Sequence, residues 1–434
     1  MRSLASWLGA TAAIAWCSAA SANPMEVLGF TSRHAGQAGA AVATVDDGAA
    51  LYYDPAGLAV RPDVELAIGT VGAYSHLKIA NRRRPLADPF GVQLAMRAPL
   101  PLGGSWHDRV VVGIALHLLP RNVARVMAPA ADQPTFPYYG DRLSRIVVLP
   151  GAAIRVTDSF AIGAAVNALA GLTGSIEASE GALRGIESRI DERARTVARV
   201  IAGAQWRATT NLKLGAVYRQ RFEVPFATTA KTMVAGEAFD LDLRAAGQFT
   251  PHQVVIGAGW SAPHFVASLD AGWARWSDYP GPYVRVDSVL PLVGAVPGNP
   301  PKVPFDDTFG VRAGAEVYAL PDLTVRGGYG FETSPVPRVQ TGVTNLFDGN
   351  RHTFALGAGY RWGRIRIDAH LQVQRIGHHT LDKLIHEGGT FDPFTSVPDE
   401  DDAMAGDQTS NPGYPSLRGG GSVLSGGLTL EVRP

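Results

Sequence analysis

The chain has 434 residues, and 39 Lys and Arg balance 39 Asp and Glu for a formal charge of +0 at pH 7. That balance excludes the strongly basic surface a nucleic-acid partner requires, and the length fits two or three ordinary domains or one large β-structure. Glycine is abundant, at 49 residues, and inside strands it marks bends, bulges or close approach.

Residues 1–22 read as a secretory signal, with Arg2 as a minimal basic region, an apolar run from Leu4 to Trp16, and Ala20-Ser21-Ala22 as the cleavage pattern. Cys17, the single cysteine, lies inside it, and the neighbouring Trp16 is too large for a lipoprotein signal. The exported chain then begins at Asn23 without disulfides, so a large, well-bonded fold must hold it together.

Residues 23–62 show no alternation and are rich in small residues. A loose tail would be more polar, so this reads as a compact segment that packs inside something. Its chemistry-bearing positions are Asp46, Asp47, Tyr52, Tyr53, Asp54, Pro55, Ala56 and Gly57. Proline fixes φ, and the small Ala56 and Gly57 let the backbone pack closely, as in a tight turn.

From residue 63 onward the pattern is period two, broken by turns. The spacing predicts strands over 64–76, 90–99, 109–119, 144–156, 159–170, 194–208, 211–226, 239–261, 263–276, 307–319, 322–332, 351–361, 364–376 and 420–433, fourteen in all. The 239–261 segment contains Thr250-Pro251 and is taken as one bent strand, because splitting it makes the count odd. In RIRIDAHLQVQ (364–374), Ile365, Ile367, Ala369, Leu371 and Val373 share one face, and Arg364, Arg366, Asp368, His370, Gln372 and Gln374 share the other. Short links (157–159, 209–211, 262–263, 321–322, 363) alternate with long ones (120–143, 171–193, 277–306, 333–350, 377–419). Aromatics gather near strand ends, as with Tyr360 and Trp362, Tyr329 and Phe331, and Trp273 and Trp276.

A secreted sandwich or propeller explains the alternation equally well. It explains the unequal links and the aromatic strand ends less well. No stretch has the roughly 18 apolar residues of a membrane helix; VVVGIALHLL (110–119) is strand length. The fold class is therefore all-β: a 14-stranded antiparallel transmembrane β-barrel (63–434), preceded by the compact segment 23–62.

The stretch SRHAGQAGAAVATVDDGAALYYDPAGLA closely resembles the plug of the FadL/TodX family, outer-membrane transporters of long-chain fatty acids and aromatic hydrocarbons. WARWSDY (273–279), FDDTFGVRAGAEV (305–317), PDLTVRGGYGFETSPVP (321–337) and RHTFALGAGYRWG (351–363) agree with that family in the same order. The resemblance implies that residues 23–62 are an N-terminal plug, or hatch, inside the lumen, and it implies capture of an oily ligand among the outer loops, a shift of the plug, and sideways release where the third strand bends inward. Here that strand is 110–119, with Gly113 and His117 on one face. Two departures stand out. Asp54 replaces the family's usual asparagine, so an ionised side chain there accepts hydrogen bonds but does not donate. The chain also ends Val432-Arg433-Pro434 rather than on the aromatic that the barrel-assembly machinery reads.

The expected function is passive uptake of hydrophobic compounds across the bacterial outer membrane, since no energy-coupling box stands near the N-terminus. The expected partners are a hydrophobic small molecule, membrane lipid, lipopolysaccharide and the assembly machinery, around a monomer without cofactor or metal. Arg312, Arg326, Arg364 and Arg366 could meet a ligand carboxylate, but pairing with Glu316, Glu332 and Asp368 is the stronger reading. His378, His379, His386 and Glu387 lack the spacing of a rigid metal site. The acidic run 399–402 reads as solvated rather than as a cation bridge to lipopolysaccharide. Two other classes stay open: a protein-docking or secretion-linked shuttle on the same scaffold, and an outer-membrane lipid hydrolase. Against the hydrolase, the chain offers no G-x-S-x-G elbow and no assignable catalytic triad, so no residue is named as catalytic.

Overall fold

The computed structural model describes residues 24–83, 86, 88–118, 134–139, 146–180, 186–234, 237–283, 285–286, 289–290, 294–295, 302–341, 344–384 and 416–434. Segment 1–22 with Cys17, His386, Glu387 and the run 399–402 lie outside the described residues.

The main strands are β1 (Glu65–Ile79), β2 (Phe90–Pro99), β3 (Val110–Leu118), β4 (Val147–Arg155), β5 (Phe160–Glu180), β6 (Ile186–Arg207), β7 (Leu212–Arg219) and β8 (Phe222–Val234). They continue as β9 (Glu237–Thr250), β10 (Gln253–Ala262), β11 (Phe265–Ala274), β12 (Thr308–Tyr318), β13 (Leu323–Glu332), β14 (Arg351–Trp362), β15 (Ile365–Leu384) and β16 (Ser416–Val432). All of these except β8 and β9 form one closed antiparallel wall of fourteen strands. The last joins the first in register from Leu66↔Val432 to Ile79↔Gly419, so no edge is left unpaired at the seam.

The predicted strand 239–261 is corrected: it is two strands, β9 and β10, parted at Thr250-Pro251. Pro251 offers no N–H to a ladder and holds its own φ. The count stays even because β9 pairs with β8 in a hairpin outside the wall. The predicted strand 211–226 ends at Arg219 for the same reason, and β7 pairs directly with β10. Much of the predicted loop 171–193 is also strand, since β5 and β6 stay paired out to Glu180↔Ile186.

Links between wall strands at one rim are mostly short (156–159, 208–211, 263–264, 319–322, 363–364, with 100–109 longer), and at the other mostly long (119–146, 275–307, 333–350, 385–415, with 181–185 short). The two faces of the wall separate as the alternation predicts. On β15, Ile365, Ile367 and Leu371 are exposed outside, whereas Arg366, Asp368, His370, Gln372 and Gln374 are buried inside. Leu66, Ile68, Val311, Val325, Leu356, Leu424 and Leu428 extend the apolar outer surface around the wall. Phe160, Trp206, Trp260, Phe265, Tyr318, Tyr360 and Trp362 lie exposed at the short-link rim, where a girdle belongs. Trp276 departs from that expectation: it is buried, packed edge-on against Tyr138 and Tyr279.

Residues 24–60 fill the interior as short helices Pro24–Leu28, Ser32–Ala35 and Ala50–Tyr53 and the 3-10 helix Pro55–Val60. Wall glycines make room for them. A Cβ on Gly151 would lie 2.6 Å from Leu51 Cδ2, one on Gly314 would lie 2.9 Å from Gln37 Cβ, and one on Gly163 would strike Pro55.

Candidate functional site

Four short helical pieces of at most six residues cannot hold themselves in place. The interior segment is instead tied to the wall by polar bonds from many strands. Ala41 and Val42 N–H donate to Asp270 of β11 at 2.8 and 3.1 Å. Thr31 N–H donates to Gln93 of β2, which returns a bond to Gly29 O, each at 2.9 Å. Ser32 N–H donates to Thr429 of β16 at 2.9 Å, and Gln205 of β6 donates to Val42 O at 2.9 Å.

The predicted acidic pair lies at the centre of a buried charge network. Arg33 reaches Asp46 at 2.6 Å, Asp47 at 3.0 Å and Glu316 of β12 at 3.3 Å. His34 Nε2 meets Asp47 at 2.9 Å, and Asp47 also caps Ala49 N–H at 3.0 Å. Glu316 passes the network to Arg326 (2.6 Å), and Arg326 passes it to Asp368 (2.8 Å), which also meets Arg366 (3.1 Å). Burial pushes Asp46 and Asp47 up, but Arg33 beside Asp46, and His34 with Arg33 beside Asp47, outweigh it and hold both carboxyls below the usual range.

Tyr52 and Tyr53 pack edge-on with centroids 4.9 Å apart. Tyr53 OH accepts from Phe30 N–H at 3.1 Å. Burial pushes the Tyr53 hydroxyl up to about 12, so it stays protonated. Arg219 of β7 donates to Tyr52 O and Tyr53 O at 2.7 and 3.1 Å, and its guanidinium stacks 5.0 Å from the Tyr52 ring centre.

Asp54 caps the turn that follows, accepting from Ala56 N–H at 3.0 Å through Oδ1. It is fully buried against Gly203 of β6, where a Cβ would strike Oδ1. Its Oδ2 has no hydrogen-bond partner among the described residues. Burial drives this carboxyl well above its ordinary value, against the pull of the Ala56 N–H bond.

Small gaps lie between segment and wall. A gap of ≈ 50 Å³ is lined by Glu26, Tyr52, Arg219, Gln253, Asp270 and Arg312. That volume suits a few waters rather than a hydrocarbon chain.

Of the four predicted arginines, Arg326 and Arg366 are bound to Glu316 and Asp368, and Arg312 lies 3.5 Å from Glu332 at the edge of the gap. Arg364 is corrected: it is exposed in the 363–364 turn and does not face the lumen, because the strand begins only at Ile365. Gly113 and His117 lie in β3, which is paired with β2 through Val111–Leu118 and with β4 through Val110–His117. A break in pairing falls one interface further on. Between β4 and β5, Val148 pairs with Ala168 and Gly151 with Ala165, and the ladder skips Leu149 and Pro150. His378 is exposed and His379 buried, either side of the wall, so they do not converge.

Sequence reasoning missed Arg33, His34, Asp270 and Arg219. It also missed an aromatic cluster at the long-link rim, where Phe136, Tyr138, Phe249, Trp276, Tyr279, Phe305 and Phe347 are buried together. Charge balance could have found the first two, because Arg33 and His34 are the basic residues of 24–60, facing Asp46 and Asp47.

No family model matches the chain. Alkane uptake protein A of Marinobacter nauticus is 24% identical over 147 residues, 32% of this chain and 32% of that protein, so the chain matches about a third of its curated relative's length. Among solved structures, a FadL homologue of Pseudomonas aeruginosa covers 93% of this chain and 98% of its own, with a TM-score of 0.57 at 14% identity. The toluene transporter TodX of P. putida covers 93% and 98%, with a TM-score of 0.55 at 15% identity. The fold is thus that of the FadL/TodX barrels.

Proposed function

We propose that the chain is an outer-membrane channel for passive uptake of hydrophobic compounds, long-chain fatty acids or hydrocarbons, and that residues 24–60 are its gate. The observation that carries this reading is the filled bore: an apolar-skinned closed barrel whose interior is occupied by a segment bonded to the wall, with gaps of only about 50 and 30 Å³ beside Tyr52. The uptake and toluene-transport names of the similar proteins support the same reading. Oily cargo gains nothing from an aqueous pore, since exposing it to water costs roughly 0.8 kcal/mol per methylene. Cargo therefore needs the segment to shift and an exit that leads into lipid. The exit proposed here lies between β4 and β5, beside the strand carrying Gly113 and His117. The skipped ladder at Leu149-Pro150 supports it, because a seam without those hydrogen bonds costs less to part.

The experiment removes residues 24–60 and, separately, staples the seam with Leu149→Cys and Asn167→Cys in a chain whose only native cysteine, Cys17, lies in the apparent signal. The deletion should raise leak of small polar solutes and alter uptake of labelled fatty acid or alkane while the barrel still assembles. Unchanged leak and uptake would end the gate reading. The oxidised staple should lower uptake and the reductant restore it; full uptake with the bridge closed would rule out this exit.

A further inference from the structure

On three neighbouring strands the outward row turns from apolar to basic at the same height. The register sets Tyr74, Leu424 and Val373 side by side across β1, β16 and β15. One step towards the long-link rim, the row reads His76, Ser422 and Arg375. One step further, Lys78 stands opposite Gly420, and a bulge between Ile376 and His379 swings His378 to the outside, with Arg418 next along β16. His76, Lys78, Arg375, His378 and Arg418 are all exposed.

These residues surround a cleft. His76, Lys78, His378 and Arg418 line a cavity of ≈ 360 Å³ floored by Gly420 and Gly421. The floor is glycine for a steric reason: a Cβ on Gly420 would lie 3.0 Å from His378 Cα, and one on Gly421 would strike His76 O. No carboxylate among the described residues lines the cleft. Inside the lumen, by contrast, Arg326 is matched by Glu316 and Asp368. Here two fixed cations and two imidazoles face outward without an ion pair among the described residues. Arg83 adds a guanidinium 4.8 Å from the centre of the Tyr74 ring, just at the edge of the apolar belt.

We propose that this cleft binds a phosphate group of an outer-leaflet lipopolysaccharide. Its position follows from the register: basic groups directly above an apolar row meet a lipid whose acyl chains lie along Tyr74, Leu424 and Val373 and whose phosphates lie one step higher. Charge-assisted bonds from Arg418 and Lys78 hold the phosphate, and the apolar row holds the chains. The site is outside the wall, separate from the gate, and rests on the outer-membrane reading but not on cargo passage.

The test offers the detergent-solubilised full chain three probes: lipid A with both phosphates, dephosphorylated lipid A, and inorganic phosphate, each followed by native mass spectrometry. Phosphorylated lipid A should bind at one per chain, and dephosphorylated lipid A at least about ten-fold more weakly. The Lys78→Gln/Arg418→Gln double variant should lose about ten-fold in affinity for phosphorylated lipid A. Unchanged heat-modifiable migration shows that the variant folds; Arg375→Gln/His378→Gln serves if it does not. Wild-type affinity in the folded variants overturns the site. Equal binding of dephosphorylated lipid A shows a merely greasy surface, and displacement of lipid by equimolar phosphate shows a free-anion site; both overturn the proposal. Uptake of cargo should be unchanged in the double variant, which separates this test from that of the gate.

Discussion

Arg33 is the residue on which the interior segment's charges converge, meeting Asp46, Asp47 and Glu316 at once. Removing one partner of a buried ion cluster strands the others, which costs about 3–5 kcal/mol. Arg33→Met should therefore loosen the segment and raise single-channel leak in planar bilayers, while the barrel's melting transition stays near wild type. Wild-type conductance would show that the network is not a latch. Asp54 gives a second, pH-dependent handle. Its folded carboxyl is raised well above the ordinary 3.8, so the native state keeps a proton that the unfolded chain gives up. Stability contributed by that proton is full below about pH 4 and is lost as pH rises towards the folded value. Asp54→Asn carries no such proton. The difference in melting midpoint, variant minus wild type, should grow as pH rises above about 4 when followed by circular dichroism in detergent. A constant difference would mean that Asp54 does not titrate in this way. The turn at Asp54-Pro55 was legible because its residue types dictate it. Its partner Gly203 lies 149 positions along the chain and carries no local signal.

At the scale of elements, hydrophobic alternation made most wall strands readable, because each inward row meets a polar-lined interior and each outward row is apolar. What misled was pairing, which no single strand encodes. β8 and β9 alternate as wall strands do, yet they pair with one another, and β8 also runs parallel to the far end of β5 at Thr173↔Ala227. The wall is continuous without them through Gln253↔Arg219 to Trp260↔Leu212. Replacing residues 221–251 by a short Gly-Ser link should therefore leave a barrel that folds and shows heat-modifiable migration on gels. Loss of assembly would make the hairpin part of the closure. The glycines follow the same logic. Their abundance was visible, but which of them admit the interior segment depends on long-range approaches such as Gly314 to Gln37.

At the scale of the whole molecule, the decisive matter is what solvent surrounds the wall. Leu356 sits near the middle of β14 with 67% of its surface exposed, and Leu320 sits in the 319–322 link with 61% exposed. A water-surrounded barrel would treat the two alike, and a charge at either site would change stability within about 0.5 kcal/mol. A lipid-surrounded barrel treats them differently by depth. Leu356→Lys should cost about 2–4 kcal/mol of folding free energy into bilayers, and Leu320→Lys, at the short-link rim, about 0–1 kcal/mol. Denaturant titrations in lipid vesicles, read by tryptophan fluorescence, give both numbers from the same chain. The comparison has force because area is nearly equal at the two sites, leaving depth in hydrocarbon as the only variable. Equal costs would take away the membrane, and with it both the sideways exit and the phosphate cleft, since each depends on lipid lying against the outer face.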